Sequence, residues 1–245
     1  MAGTSASPFH VGLTPARVID CALELTGESH LFGWSIRDLA GRLGVAPSVV
    51  YHHVGGRDLL ARHVVDRVVS RMVAPSAALP WQDWFRALLH DAYDVVTPYP
   101  GVAKWLLMHG PTFDSVVSIV DLGTSKLAEA GFGERTAQAY SALLNNAMLT
   151  VGMGDDRLVH EEDGPRDHAT MMTEFRVMST TSPGFTALAE QMMPAFVVGG
   201  DEAARGRRAY YDFVVETTVA GLAVLLAASD PAHDATGSTE FDTAH

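Results

Sequence analysis

The segment SIRDLAGRLGVAPSVVYHHVGG, which begins at Ser35, constrains the fold more than any other part of the chain. Ser35 can cap a helix, and Asp38 stands three positions later, where its carboxylate can reach back to the capping residue. Gly44 suits the left-handed conformation found just past a helix end, and Pro47 can open a second helix. The glycine pair 55–56 ends that second helix. The pattern therefore predicts two short helices joined by a tight glycine turn.

A further helix precedes this pair. Thr14 can serve as its N-cap and Pro15 as its first residue, and apolar residues follow at helical spacing. In the last of the three helices, Val50 and Val54 share one face, which leaves a face without acidic residues on the outside. A short helix presented in this way fits the major groove of DNA. We therefore predict a helix-turn-helix DNA-binding domain over residues 14–60.

Most of the remaining chain is also predicted to be helical, so the predicted fold class is all-α. A linking fourth helix over 58–74 should join the N-terminal three-helix domain to a larger helical domain over 61–228. We expect this larger domain to bind a ligand and to dimerise. Residues 1–13 are predicted to form a flexible tail, and the acidic residues 229–245 a disordered one.

Composition and localisation signals fit a folded protein of the cytoplasm. Hydrophobic residues make up 47% of the 245 residues and charged residues 19%, the balance of a chain with a core. Cys21 is the single cysteine, which excludes an internal disulfide and suits a reducing compartment. The N-terminus lacks the basic start and apolar run of an export signal. The apolar segment Phe213–Ala228 contains Glu216 and is shorter than the roughly 20 residues of a membrane span, so we expect a buried or subunit-facing helix and no membrane contact.

Charge is distributed unevenly along the chain. Residues 14–75 carry seven arginines against six acidic residues, a balance of +1, so the rest of a chain of net charge −12 carries −13. The first part can therefore approach an anion that the second part would repel. A general solubilising role for the acidic surface is the alternative explanation.

The segment that begins at Ser35 resembles the DNA-binding domain of the tetracycline repressor (TetR) family of bacterial transcription regulators. The motif Leu-Ala-x-x-Leu-Gly-Val and a recognition helix ending in Tyr-x-His carry this resemblance, which spans about residues 14–72. It implies that Tyr51, His53 and Arg57 contact phosphates. The DNA-binding residues predicted in this way are Ser35, Arg37, Pro47, Ser48, Val49, Tyr51, His52, His53 and Arg57.

Base readout would then come from small side chains and one arginine. Val49 could touch a thymine methyl, Ser48 could bond either base type, and Arg37 suits guanine. Ala46 stands at the expected N-cap of the recognition helix, where the family commonly has Ser, and it has no side-chain oxygen to bond a first-turn N–H. We expect a slightly frayed start to that helix.

The stretch from Trp81 to Phe113 resembles the ligand-binding domain of the tetracycline-repressor branch, with its opening Trp-Gln-Asp and its later Gly-Val-Ala-Lys. In that branch a histidine in this stretch helps to bind metal-chelated tetracycline, but Leu106 stands at its place here. Polar and aromatic positions of the same site are matched by Leu88 and Ala92. These differences predict a more apolar effector, with no cofactor and no metal.

The predicted ligand-binding residues combine this resemblance with methionine-rich and polar positions farther along the chain. Asn145 could hydrogen-bond a ligand, although an asparagine at a helix edge is more often solvated. Methionines 171, 172 and 178 recur with Phe175 at helical spacing and could form a pliable wall or ordinary core. The predicted set is Trp105, Met108, His109, Phe113, Asn145, Met148, Met171 and Phe175.

Two helices resemble the dimer bundle of the family. The segment RTAQAYSALLNNAMLTVGM, which begins at Arg135, carries an apolar stripe, and residues 208–228 are apolar almost all round. Such helices bury against each other or against a partner's copies, because leaving them in water would expose a large apolar patch. We therefore predict a homodimer that binds a palindromic DNA operator.

Three other functions were weighed against a regulator. A metal site could be drawn from His160, Glu161, Glu162, Asp163 and His168, but their spacing matches no ligand signature, and Gly164-Pro165 favours a loop. The segment HDAYD offers His90 and Asp94, which can pair on a helix surface, but no nucleophile motif or phosphate loop accompanies them, so no catalytic residue is predicted. An all-helical binding module that lacks DNA affinity remains an alternative.

Overall fold

The structure is a computed structural model that describes residues 12–159, 168–196 and 200–228. In these residues every regular element is a helix, which confirms the predicted all-α class. Two short 3₁₀ helices, Asp114–Val116 and Gly133–Arg135, flank the seventh α-helix. The α-helices are α1 Pro15–Glu28, α2 Ile36–Leu43, α3 Pro47–Val54, α4 Arg57–Val69, α5 Trp81–Val96, α6 Val102–His109, α7 Val117–Glu129, α8 Thr136–Val159, α9 His168–Ser179, α10 Pro183–Phe196 and α11 Gly200–Ala227.

The predicted helix ends in the N-terminal unit are confirmed. The Thr14 hydroxyl accepts a hydrogen bond from the Arg17 backbone N–H at 3.2 Å. Ser35 and Asp38 form the reciprocal capping box, and Gly44 adopts a left-handed φ of 69°. Ala46 caps α3 without a side-chain bond. Both ends of α2 are therefore fixed by local interactions, whereas the start of α3 has no side-chain cap.

The helices α1 to α4 pack together through buried residues that are continuous with the core of the rest of the molecule. Val50 and Val54 of α3 are buried, as their spacing predicts, and they join Val18, Leu39 and Leu60 in that core. The helix α4 packs on α1 along one side and contacts α5 and α6 along the other. It therefore belongs to both parts of the molecule.

The core of the larger part is built on α5. Trp84, Phe85 and Leu88 are fully buried, and Trp81 is 7% exposed, so the first half of this helix supplies large side chains to the core. The Trp84 indole donates to the carbonyl of Pro75 at 3.1 Å, and the buried Lys126 donates to the carbonyls of Ala77 and Leu79. These three bonds hold the connection between α4 and α5 against the core.

The helices α8 and α11 pack against each other, and α9 and α10 form a second pair beside α11. One described helix, Gly200–Ala227, is long and apolar enough to cross a membrane by length and composition, and 17% of its most apolar window is buried within this chain. Its exposed apolar side chains include Phe213, at 64% of its surface, and Val224, at 69%. Within one copy of the chain this helix is mostly uncovered.

Several predictions fall outside the described residues. They concern the tails 1–11 and 229–245 and most of the acidic segment that could be drawn as a metal site, from His160 to Asp163. His168, the last member of that segment, begins α9.

Candidate DNA-binding face and ligand cavity

The predicted DNA-binding residues of α3 form an exposed face. Tyr51 is 51% exposed, Pro47, Ser48 and His52 are exposed, and Val49 and His53 are half-buried. The rings of His52 and His53 lie edge to face with centroids 5.7 Å apart. The face carries no acidic residue, so it offers no charge that would repel a phosphate.

Arg57 is turned partly inward from this face. Its guanidinium lies 4.5 Å above the Trp34 ring, and Nη2 donates to the carbonyl of Leu31 at 3.3 Å. Burial lowers the pKa of Arg57 from its usual value, but an arginine stays charged at any physiological pH. The sequence motif does not show this second role, because it does not identify Trp34 as a neighbour.

Arg37 and Ser35 differ in whether their side chains are already hydrogen-bonded within the chain. Arg37 is exposed, and it forms no hydrogen bond or ion pair within the described residues. The Ser35 hydroxyl donates to the Asp38 carboxylate at 2.7 Å and accepts from the Asp38 N–H at 3.2 Å. Hydrogen bonds from Ser35 also lower the pKa of Asp38. The Ser35 side chain is therefore occupied by its helix cap, and Arg37 is available for a base.

A cavity lies between α4, α5, α6, α7 and α8. The space between its lining side chains, including the part open to solvent, is about 630 Å³. Thirteen of the lining residues are apolar, and Tyr140 and Asn145 are the two polar ones. The lining residues are Val69, Met72, Leu88, Ala92, Val96, Leu106, Leu107, Pro111, Val116, Ile119, Val120, Tyr140, Leu144, Asn145 and Met148.

Two of the eight predicted ligand-binding residues, Asn145 and Met148, line this cavity. Three others form an aromatic stack outside it: Trp105 is buried, with its ring 4.4 Å from that of His109 and 5.5 Å from that of Phe113.

The last three predicted ligand residues also lie elsewhere. Met108 is 73% exposed, and Phe175 packs edge to face on Phe185 between α9 and α10. The side chain of Met171 lies outside the described residues. On α6, the face that bears Leu106 and Leu107 lines the cavity, while Trp105 is buried in the core.

The residues from Gly110 to Val116 connect the cavity to α4. Pro111 and Val116 line the cavity. Between them, Thr112 accepts two hydrogen bonds from Arg62, and the Ser115 hydroxyl donates to Asp66 at 2.6 Å. The segment therefore has one side on the cavity and the other on α4.

Sequence reasoning missed the cavity walls that α4 supplies. Val69 and Met72 line the cavity from the end of α4 and the residues after it, and nothing in their helical spacing separates this role from core packing. Tyr140 was placed on the apolar stripe of α8, and its polar end within an otherwise apolar stripe was the signal for a ligand site.

His90 and Asp94 of α5 are occupied by residues of α11. The expected pairing of His90 with Asp94 does not occur, because Arg208 reaches Asp94 at 2.7 Å and His90 lies 3.3 Å from Asp212. Arg208 also lies 4.8 Å from the centre of the Tyr93 ring. In the part of the chain that is described, no group of three or more histidine, cysteine or acidic side chains could hold a metal ion.

The all-helical fold of the described residues has counterparts among solved structures. The TetR-family protein ActR from Streptomyces coelicolor, in complex with actinorhodin, shares the fold with a TM-score of 0.61 and 18% identity over 86% of this chain and 99% of that one. A TetR variant from Acinetobacter baumannii in complex with minocycline has a TM-score of 0.60 and 17% identity over 87% of this chain and 98% of that one. The chain therefore has the fold of the TetR-family regulators.

Sequence comparison adds a curated relative. An HTH-type transcriptional regulator from Saccharopolyspora erythraea is 24% identical over 152 residues, which is 62% of this chain and 64% of the relative. The match thus spans less than two thirds of that regulator. No protein-family model matches the chain.

Proposed function

We propose that the protein is a ligand-responsive DNA-binding transcriptional regulator of the cytoplasm. In this proposal it is a repressor that binds a palindromic operator as a homodimer and is released by a small hydrophobic molecule. The observation that carries the proposal is the position of α4. This one helix packs on α1 beside the DNA-binding face, and Val69 at its end lines the cavity.

Support for DNA binding comes from the surface chemistry of α3 and α2. The exposed residues Ser48, Tyr51 and Arg37 offer a hydroxyl, a phenol and a guanidinium, which are the groups that read bases and hold phosphates. The relatives point in the same direction, since the curated one is described as a transcriptional regulator.

Dimerisation is supported by the uncovered apolar side of α8 and α11. Leu149 and Met153 of α8 are each about half exposed, and Phe213 and Val224 of α11 are more exposed still. Such a surface is costly in water and is typical of a subunit interface. A dimer would also double the phosphate contacts of a domain whose own net charge is near +1.

Effector binding would act by favouring one of two positions of α4. A molecule in the cavity contacts Val69 and Met72 directly and contacts Pro111 and Val116 of the segment that is bonded to α4. If it binds more tightly to the state in which the two recognition helices are mismatched to the operator, it lowers DNA affinity by that difference.

One observation favours a second candidate, a helical ligand-binding module without DNA affinity. Several cations of the N-terminal part are engaged within the chain: Arg42 pairs with Glu28 at 2.8 Å, Arg67 with Asp20 at 3.4 Å, and Arg57 stacks on Trp34. Fewer free cations mean weaker binding by counterion release.

Selection of duplex DNA from a random pool by the full-length protein separates these candidates. A regulator enriches a palindrome, and mobility shifts with that palindrome then identify the compounds that lower affinity. A pool that shows no enrichment at low salt would leave the ligand-binding module as the function.

A further inference from the structure

The polar groups of the cavity are few and are placed at different depths. Tyr140 is half-buried on α8, and Asn145 is exposed on the same helix, so Asn145 stands where the cavity opens to solvent. The neighbouring Asn146 lies outside the lining and bonds the Thr218 hydroxyl of α11 at 3.3 Å. Of the lining residues, none is charged.

The Tyr140 ring packs against Phe85 and lies close to the backbone of Gly123. Its centroid lies 5.9 Å from that of Phe85 at 74° between the planes, and a Cβ at Gly123 would come within 2.9 Å of its Cε2 and within 3.0 Å of Trp84. Gly123 therefore leaves the space that the two rings occupy. A ring held on these sides keeps its hydroxyl at one place in the cavity wall.

The Tyr140 hydroxyl has a hydrogen to donate and no acceptor among the described residues. Burial raises the pKa of Tyr140 to about 12, so the group is neutral and protonated at physiological pH. Because Tyr140 lines the cavity and its hydroxyl has no protein acceptor there, a ligand carbonyl can accept the hydrogen bond that the hydroxyl otherwise donates to water.

A charged ligand does not suit this cavity. A carboxylate or phosphate carried inside would find no cation along the wall, and burial of an unpaired charge is strongly unfavourable. A cationic ligand would find no carboxylate. A hydrocarbon body, in contrast, would contact the thirteen apolar residues that form the rest of the wall.

We infer that the cavity selects an uncharged, mainly hydrocarbon molecule whose carbonyl oxygen accepts a hydrogen bond from the Tyr140 hydroxyl. The biological meaning of this inference rests on the proposed function, in which the cavity is the effector site. Tyr140 is then the specificity-determining residue, and the exposed Asn145 contributes less because water competes for its amide.

The test measures binding of three β-substituted naphthalenes of similar size to the full-length protein by equilibrium dialysis. Acetylnaphthalene carries a carbonyl, ethylnaphthalene has no polar group, and naphthoate is an anion. We expect acetylnaphthalene to bind most tightly and naphthoate to bind at least about tenfold more weakly. Tyr140→Phe should weaken the binding of acetylnaphthalene by about five- to tenfold and leave the binding of ethylnaphthalene unchanged, because the substitution removes one hydrogen bond and little volume.

Tyr93→Phe is the matched control, since Tyr93 is also half-buried but does not line the cavity. It should change none of the three affinities. The inference is overturned if wild-type protein does not bind acetylnaphthalene, if naphthoate binds as well as the ketone, or if Tyr140→Phe weakens the ketone and the hydrocarbon equally.

The proposed function is tested separately, by measuring the affinity for the selected palindrome with and without each compound. If acetylnaphthalene binds in a Tyr140-dependent way but no compound changes the affinity for DNA, the inference is supported and the regulator is not. A palindrome released by anionic compounds, with no dependence on Tyr140, would support the regulator and overturn the inference.

Discussion

Arg62 of α4 holds Thr112 through two hydrogen bonds, from Nη2 to the carbonyl oxygen at 2.5 Å and from Nη1 to Oγ1 at 3.2 Å. The same guanidinium lies 4.9 Å from the centre of the Phe113 ring. Because Pro111, the residue before Thr112, lines the cavity, this pair is a direct connection between the cavity and α4.

Replacing Arg62 by Met should reduce the response to effector without abolishing the binding of either ligand. The substitution keeps an apolar contact with Phe113 but removes both bonds to Thr112, so movement of the cavity wall is transmitted less fully to α4. We expect the effector-induced change in affinity for the selected palindrome to fall by about 1 kcal/mol, or roughly fivefold. Mobility shifts with and without effector measure this ratio.

Arg67→Met is the control on the same helix. Arg67 pairs with Asp20 of α1 at 3.4 Å, so its loss should leave the effector-induced ratio as it is. Equal ratios in wild type and Arg62→Met would show that the segment from Gly110 to Val116 does not carry the coupling.

A second connection between the two parts of the molecule is the close contact of Gly101 with His30 and Leu31. Gly101 has a φ of +90°, its N–H donates to the buried Asp155 carboxylate at 2.9 Å, and a Cβ there would meet His30 Nε2 at 2.6 Å and Leu31 Cβ at 3.0 Å. We predict that Gly101→Ala lowers the free energy of unfolding by about 3 kcal/mol, from the left-handed φ together with the overpacking. Urea denaturation provides the measurement.

Gly44→Ala separates the two causes. Gly44 also adopts the left-handed conformation, with a φ of 69° and a ψ of 31°, but nothing lies within 4 Å of its added Cβ. It should cost about 1 kcal/mol, from the backbone alone. If both alanine variants lose the same free energy of unfolding, steric contact with His30 adds nothing to the cost of an alanine at position 101.

The sequence predicted the N-terminal helices well because their ends depend on neighbours in the chain. The Thr14 cap, the Ser35–Asp38 capping box and the left-handed Gly44 are each interactions within a few residues, so the pattern that specifies them is visible without a structure. The partner of Arg57 could not be predicted in this way, because Trp34 stands 23 positions earlier in the chain and only the fold brings the two together.

Arg37 and Arg57 should differ in what they contribute to DNA binding. Arg37→Ala is expected to alter the base preference at one position of the palindrome at a cost of about 1–3 kcal/mol, with unchanged stability, since Arg37 has no partner in the described residues. Arg57→Ala should weaken binding to all sequences and lower the salt slope by about 1. It should also destabilise the fold by about 1 kcal/mol through loss of the contact with Trp34.

Binding to palindrome variants across a salt series, together with thermal unfolding, distinguishes the two. Arg42→Ala serves as the reference for an arginine whose charge is already paired, with Glu28. If Arg57→Ala loses stability but keeps the salt slope, Arg57 supports the fold and does not contact a phosphate.

Most of the predicted ligand residues do not line the cavity, and the reason is geometric. Trp105 and Leu106 are adjacent in sequence, but a helix turns each residue by about 100°, so the first is buried in an aromatic stack and the second lines the cavity. The direction in which α6 lies on α4 and α8 decides which face meets the cavity. That direction depends on tertiary contacts that no local pattern encodes.

The uncovered side of α11 should be the dimer interface. Phe213→Glu places a charge on this surface and is expected to give a monomer that binds the palindrome at least about tenfold more weakly. Val177→Glu on α9 is the matched control, because Val177 is 62% exposed and Phe213 64%. Sedimentation velocity measures the mass of both variants. A Phe213→Glu protein that remains a dimer, or a Val177→Glu protein that dissociates, would place the interface elsewhere.

Tyr140 should ionise at a higher pH than an ordinary tyrosine. Burial raises its pKa to about 12, against about 10 in an unfolded chain. Because the folded state disfavours the phenolate, this group stabilises the fold fully below pH about 10 and loses that contribution as the pH rises towards 12. The near-ultraviolet phenolate absorbance of wild type minus Tyr140→Phe should therefore show one group that titrates near 12. Tyr51→Phe, at a residue that is 51% exposed, supplies the comparison. If the group missing from Tyr140→Phe titrates near 10, its hydroxyl is in contact with water and the cavity wall at Tyr140 is open.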